Sequence, residues 1–245
     1  MDEALSRRLG ELALRAAHTR RTCYSRFLEP SALVDARAAA AKAGARVAFW
    51  GGYEGAERCC LCFLPEWAWE VEEGLVRALR CTWHHSGELT HRDFLGSLMG
   101  MGVTRESVGD ILVSQESADV LLTGGVADFL LQSWESAGRV HLKVEEIPLG
   151  HIHIPVAKTR TIRDTVPSLR LDSVVSSGFS VSRGKAAEAI EGGRVQLNWA
   201  ECRKCAAEVA QGDTISLRGL GKCTVDEVGK ETKKGRIFIS IKRYL

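Results

Sequence analysis

The chain has 245 residues, 45% hydrophobic and 26% charged, with a formal net charge of +2: a globular composition with room for two or three small domains. No apolar run approaches the ~20 residues of a membrane-spanning helix. The charge is uneven, with 14 Lys/Arg against 9 Asp/Glu in residues 168–245 and 19 against 22 before them, which directs an anionic partner to the last third.

The first stretch, "MDEALSRRLGELALRAAHTRR", is charged throughout and is expected to be an amphipathic helix rather than a secretory signal, with Leu5, Leu9, Leu12 and Ala16 on one side. A strand is expected over "CYSRFLEP", then a helix opened by Pro30 and Ser31 and closed by Gly44. "ARVAFWGG" and "RCCLCFLP" read as buried strands around "GGYEGAER", whose glycines permit a close backbone approach to a partner or, as the simpler reading, a plain hairpin turn. Residues 1–73 thus read as an N-terminal α+β domain.

Residues 74–147 carry a βαββαβ order: "LVRALRCTWHH", a helix capped by Thr90, "GDILVSQ", "ADVLLTGG", the helix "VADFLLQSWESAG" and "RVHLKVEEI". This is a ferredoxin-like plait, which also serves RNA recognition motifs. Such motifs stack bases on aromatics, and Ile111–Val113 and Val120–Leu122 offer none, so protein contact and RNA contact by another surface both stay open. Residues 148–167, with Pro148, Pro155 and Pro167, read as a linker, either an extended connector or an edge strand.

In residues 168–245 two helices precede a sheet. Ser182 caps the second helix and leaves Arg183 and Lys185 in its first turn. Cations there oppose the helix dipole, and a phosphate would compensate them.

The run "LRLDSVVSSGFSVSRGKAAEAIEGGRVQLN…GDTI" resembles the S4 RNA-binding domain. The resemblance rests on Arg170-Leu171-Asp172, Ser182-Arg183 with Ala186, Gly193 to Asn198, and Gly212-Asp213. Trp199 departs from it, standing where the general family has glycine. "FWGGYEGAER", "LTHRDFLGSLMGMGVTRESVGDIL" and "KKGRIFI" are similar to the YlmH family of bacterial S4 proteins, where strand ends of the "VNW" type account for Trp199. The resemblance implies an α+β fold with a C-terminal S4 domain. It also implies binding to rRNA and tRNA. Because the chain holds no G-x-S-x-G, H-E-x-x-H, Walker loop or dinucleotide fingerprint, a non-catalytic, cytoplasmic protein without cofactor or metal is expected. Its expected partner is the large ribosomal subunit carrying peptidyl-tRNA, where it would assist alanine tailing in ribosome-associated quality control, with no membrane contact and as a monomer off the ribosome.

The expected RNA-binding residues are Arg170, Arg183, Lys185 and Arg194 for phosphates, with Arg218, Lys222, Lys233, Lys234 and Arg236 widening the surface. Ser182, Gln196 and Asn198 complete the set, and Asp172 is expected to orient a neighbouring cation. The alternative is an RNA-modifying enzyme of the pseudouridine synthase or rRNA methyltransferase type that uses the S4 unit for targeting. "CRKC" at Cys202–Cys205 has zinc-ligand spacing without a second pair. The other six cysteines are Cys23, Cys59, Cys60, Cys62, Cys81 and Cys223, expected with them as free and mostly buried thiols in a reducing cytosol.

Overall fold

The structure is a computed structural model that describes residues 3–33, 36, 46–84, 88–156, 158–232 and 235–244. It separates into two units, residues 1–155 and 156–245, and the expected boundary at 73/74 falls inside the first.

Unit one opens with helix α1 (Glu3–Thr19), whose Leu9 and Ala16 are buried while its charged face meets solvent. Strands β1 (Cys23–Tyr24), β2 (Val47–Trp50) and β3 (Cys60–Phe63) form an antiparallel sheet of order β1-β3-β2. The strand expected over "CYSRFLEP" shrinks to two residues plus an isolated bridge from Leu28 to Cys59. Residues 30–33 and 36 are helical, and the rest of the helix expected there lies outside the described residues.

The plait follows as β4 (Val76–Thr82), α2 (His91–Gly100), β5 (Val108–Val113), β6 (Ser117–Thr123) and α3 (Gly124–Ser133). A small hairpin, β7 (Ser136–Ala137) and β8 (Val140–His141), precedes the closing strand β9 (Lys143–Ile147). The order β5-β6-β4-β9 is that of a ferredoxin-like sheet. Thr90 stands before α2, and Asp93 Oδ2 reaches back to accept from its N–H at 2.8 Å and its hydroxyl at 2.7 Å, which closes the exposed end of the helix.

Period-two alternation sends the plait's strand side chains to two different cores. Leu79, Cys81, Val120 and Leu122 pack with Phe94, Leu98, Leu130 and Trp134 on the helix side. Val76, Ala78 and Leu121 pack with Phe27, Cys60 and Cys62 of the N-terminal layer on the other. A sheet covered on both faces needs apolar residues at nearly every central position, which is why these strands carry no stacking aromatics. The face that an RNA recognition motif keeps open for bases is here closed by Phe27, Trp50, Cys60, Cys62, Leu64 and Ala68.

Unit two contains β10 (Thr159–Val166), α4 (Leu171–Phe179), α5 (Arg183–Glu191), β11 (Val195–Leu197), β12 (Ala200–Glu201), β13 (Thr214–Leu217), β14 (Gly221–Glu231) and β15 (Ile237–Tyr244). The sheet order is β10-β15-β14-β13-β11-β12. The stretch 148–167, read as a linker, therefore ends in a regular edge strand: β10 pairs with β15 from Thr159↔Tyr244 to Val166↔Ile237. Its polar wording, "TRTIRDTV", reflects an edge that is half solvated, with Ile162 and Val166 turned to the core. Helices α4 and α5 cover one face of the sheet, burying Val174, Val175, Phe179, Ala186 and Ile190 against Ile215, Cys223, Val225, Ile239 and Ile241.

Candidate nucleic-acid interface

The first turns of α4 and α5 converge on one carboxylate. Arg170, the residue before α4, donates from Nε to Asp172 Oδ1 and from Nη2 to Oδ2, both at 3.2 Å. Arg183, the first residue of α5, donates to Oδ2 from Nε at 3.1 Å and Nη2 at 3.0 Å. Ser173 Oγ adds a 3.3 Å bond to Oδ1. Asp172 is only 5% exposed, whereas the Arg170 and Arg183 side chains are 41% and 53% exposed. Burial raises the Asp172 carboxyl, but the hydrogen bonds from Arg170 and Arg183 outweigh it and hold the group below the usual carboxylate range. The anion that offsets Arg183 at its helix start is thus supplied by the chain. Two forked donors are fixed at the surface with N–H groups to spare, since a guanidinium carries five.

Ser182 caps α5, its Oγ accepting from the Lys185 amide at 3.3 Å, and the Lys185 side chain is exposed. Arg194 is exposed and meets Glu188 at 3.4 Å. Gln196 lies on the solvent side of β11, opposite Ser216 and Glu201. Arg218 is exposed in the turn after β13. Asn198 is engaged internally: Nδ2 donates to Asp213 Oδ1 at 2.8 Å, and Oδ1 accepts from the Thr214 amide at 2.9 Å. Lys233 and Lys234 lie outside the described residues.

Asn198 and Trp199 both have positive φ, 49° and 68°. They form the two-residue turn between β11 and β12, where Leu197 pairs with Ala200. Such a type I′ geometry favours Asn-Gly, which gives a physical reason for glycine at the second position. The Trp199 ring is half-buried, and Lys222 Nζ lies 5.3 Å from its centroid and 4.9 Å from that of Tyr244.

A polar groove of about 420 Å³ runs beside α4, lined by Arg163, Thr165, Ser176, Ser177, Arg183 and Arg236 among others. Arg236 is held there by bonds to the Thr165 hydroxyl, at 2.9 Å, and the Thr165 carbonyl. Sequence reasoning passed over Arg163 because β10 read as linker; the basic-polar alternation of "TRTIRD" was the available signal.

Two family models match this chain: the "putative RNA-binding domain in YlmH" over residues 84–151 and the S4 domain over residues 169–215. The ribosome-associated protein quality control protein P2 of Bacillus subtilis (strain 168) is 32% identical over 219 residues, covering 89% of this chain and 85% of that protein. The chain belongs to the YlmH family. Its fold is similar to that of the cell division protein ylmH from Streptococcus pneumoniae, with a TM-score of 0.53 at 17% identity over 61% of this chain and 92% of that one. Within this YlmH-family chain, the Asp172 cluster and α5 lie in the S4 match, and α2 through β9 lie in the YlmH RNA-binding-domain match.

Other motifs take structural positions. "GGYEGAER" is more than a hairpin turn: Tyr53 Oη at 2.8 Å and the Glu57 amide at 2.7 Å donate to Asp110 Oδ2, and the Arg58 amide to Oδ1 at 3.1 Å. The segment from His151 to His153 is fixed through its backbone groups. The His153 amide donates to buried Asp119 at 2.7 Å, and Arg80, bidentate to Asp119 at 2.7 Å, also donates to the His151 carbonyl at 2.9 Å. In "CRKC", Cys205 Sγ donates to the Ala187 carbonyl at 3.8 Å and Cys202 Sγ to the Lys204 carbonyl at 3.9 Å. Among the described residues no three His, Cys, Asp or Glu are grouped to hold a metal.

Proposed function

We propose that this chain is a non-catalytic, cytoplasmic RNA-binding protein, monomeric off the ribosome, that engages rRNA of the large subunit together with peptidyl-tRNA. There it assists ribosome-associated quality control by supporting alanine tailing of stalled nascent chains. The observation that carries the reading is the pair of forked donors, Arg170 and Arg183, locked by one buried carboxylate at two helix starts. Helix N-termini and guanidiniums both favour phosphate oxygens, and an orientation fixed before binding lowers the entropy lost on contact. Lys185, Arg194, Arg218, Lys222 and Arg236, with Lys233 and Lys234, extend the phosphate surface, and Gln196 adds a hydrogen-bonding side chain. Asp172, Ser182 and Asn198 support it by holding neighbours. The name of the Bacillus subtilis relative supports the quality-control setting.

The test is affinity capture of the tagged chain from cells. Large subunits bearing peptidyl-tRNA are expected to co-purify, and the double variant Arg183→Ala/Lys185→Ala is expected to lose them while keeping its circular-dichroism spectrum. Recovery of small subunits alone, or unchanged cosedimentation of the double variant, overturns the reading. Turnover of a methyl donor or isomerisation of uridine by the purified chain overturns its non-catalytic part.

A further inference from the structure

Unit one carries a surface of opposite character, formed by the segment "PEWAWEVEEG", residues 65–74, between β3 and β4. Trp67 and Trp69 are 66% and 79% exposed, although tryptophan is among the side chains with most to gain from burial. Beside Trp69 runs a groove of about 380 Å³ with Trp50, Val71 and Leu149 on its apolar side and Glu70, Glu72 and Glu73 on its rim. With Glu66, four carboxylates fall within eight residues, and none of the four is in an ion pair with a described residue.

The chain also demonstrates what this surface accepts. The Arg46 guanidinium lies 3.8 Å from the Trp69 ring centroid while donating to the Glu66 carbonyl at 3.2 Å. A cation over an indole face, tied to an acceptor of the same segment, is the arrangement a basic side chain from outside would repeat along the rim.

We propose that this groove docks a basic, aliphatic peptide segment of a protein partner. An aliphatic side chain enters between Trp50, Trp69 and Leu149, and flanking Lys or Arg residues meet Glu70, Glu72 and Glu73. Charge complementarity selects this occupant. The rim carboxylates repel phosphate, so RNA is disfavoured, and an exposed aromatic anchor inside a polar rim is the anatomy of a protein-binding hot spot. The proposal concerns unit one alone and goes beyond the RNA-binding reading.

The test uses the full chain and the fluorescein-labelled peptide Leu-Lys-Arg-Leu-Lys-Leu, followed by anisotropy, with Leu-Glu-Asp-Leu-Glu-Leu as control. The basic peptide is expected to bind saturably and the acidic one not. Trp69→Ala is expected to weaken binding at least about tenfold while moving the melting temperature by no more than a few degrees, since the ring is exposed and loses only its contact with Arg46. The triple variant Glu70→Lys/Glu72→Lys/Glu73→Lys is expected to abolish peptide binding while RNA-hairpin affinity does not fall. Arg183→Ala/Lys185→Ala is expected to bind peptide normally, which separates this proposal from the fate of the RNA reading. No saturable binding, binding indifferent to Trp69→Ala, equal binding of the acidic peptide, or displacement of the peptide by an RNA hairpin overturns it.

Discussion

One oxygen of Asp172 takes both the Nε and the Nη2 donors of Arg183, at 3.1 and 3.0 Å. That leaves the variant Asp172→Asn with two opposed electrostatic consequences. Removing a negative charge from a cationic surface by itself tightens RNA binding. Releasing Arg170 and Arg183 from their common anchor loosens it. The second effect is expected to prevail, with RNA affinity falling roughly three- to tenfold, because a free guanidinium must be ordered again at each encounter. A filter-binding titration at fixed salt reads the sign directly, and tighter binding would mean that Asp172 has no positioning role.

The same carboxylate makes stability depend on pH. Its folded pKa lies below the ordinary value, so the stability it contributes is present above the unfolded carboxylate range, near pH 4, and is lost as pH falls through the lower folded value. Wild type should therefore melt higher than Asp172→Asn at pH 7, by about 1–2 kcal/mol in unfolding free energy. That is less than a fully buried pair would give, because both arginines are half exposed. The two curves should converge as pH falls through the lowered folded value. Thermal melts across that range check the convergence; a constant gap would assign the difference to packing instead.

Phosphate contact can be distinguished from mere charge by the salt dependence. Arg183→Ala is expected to weaken binding to many RNAs alike and to flatten the log–log salt slope by about one unit. Arg194→Ala is expected to act less, since the single 3.4 Å bond to exposed Glu188 orients Arg194 less firmly than the two bonds to buried Asp172 orient Arg183. Titrations of both variants from low to moderate salt decide the order.

Much of this site was legible in the sequence because its parts are local. Ser182, Arg183 and Lys185 follow from the grammar of a helix start, and the ordered S4 motif brings Arg170 and Asp172 to them. What was not legible depends on pairing between distant segments. Arg163 joins the groove only because β10 pairs with β15, some seventy-five residues on. Asn198 looks like a free polar side chain until Asp213 and Thr214 are brought opposite it. The plait's element order could be read from periodicity. The closure of its second face could not, because it requires Phe27, Cys60 and Cys62 from another layer.

Trp199 tests how far a turn tolerates its own side chain. At φ 68° any residue with a Cβ is strained by about 1 kcal/mol relative to glycine. Its ring, in return, lies 5.3 Å from Lys222, a contact of about 0.5–1 kcal/mol at a partly exposed site. Trp199→Gly is therefore expected to leave the melting temperature within a few degrees of wild type, with the Lys222 contact to Tyr244 retained. Trp199→Val keeps the strain, adds β-branching and loses the ring, so it should melt lower than either. If glycine melts far below wild type, the ring is a packing residue rather than a surface one.

The loop "GGYEGAER" gives the sharpest prediction in unit one. A Cβ on Gly51 would stand 2.4 Å from the Ala56 Cβ and 2.5 Å from the Arg58 carbonyl oxygen, and a clash with backbone cannot be relieved by turning a side chain. Gly51→Ala should therefore push the loop off Asp110, which accepts the Tyr53 hydroxyl and the Glu57 and Arg58 amides. Asp110→Ala removes the same three bonds without the clash and is expected to cost about 1–3 kcal/mol. The two variants should then speed hydrogen exchange at the Glu57 and Arg58 amides alike, while Gly55→Ala, where an added Cβ meets nothing within 4 Å but φ is +87°, should cost only its backbone strain of about 1 kcal/mol. Unchanged exchange in Asp110→Ala would show that the glycine turn holds its shape without the carboxylate.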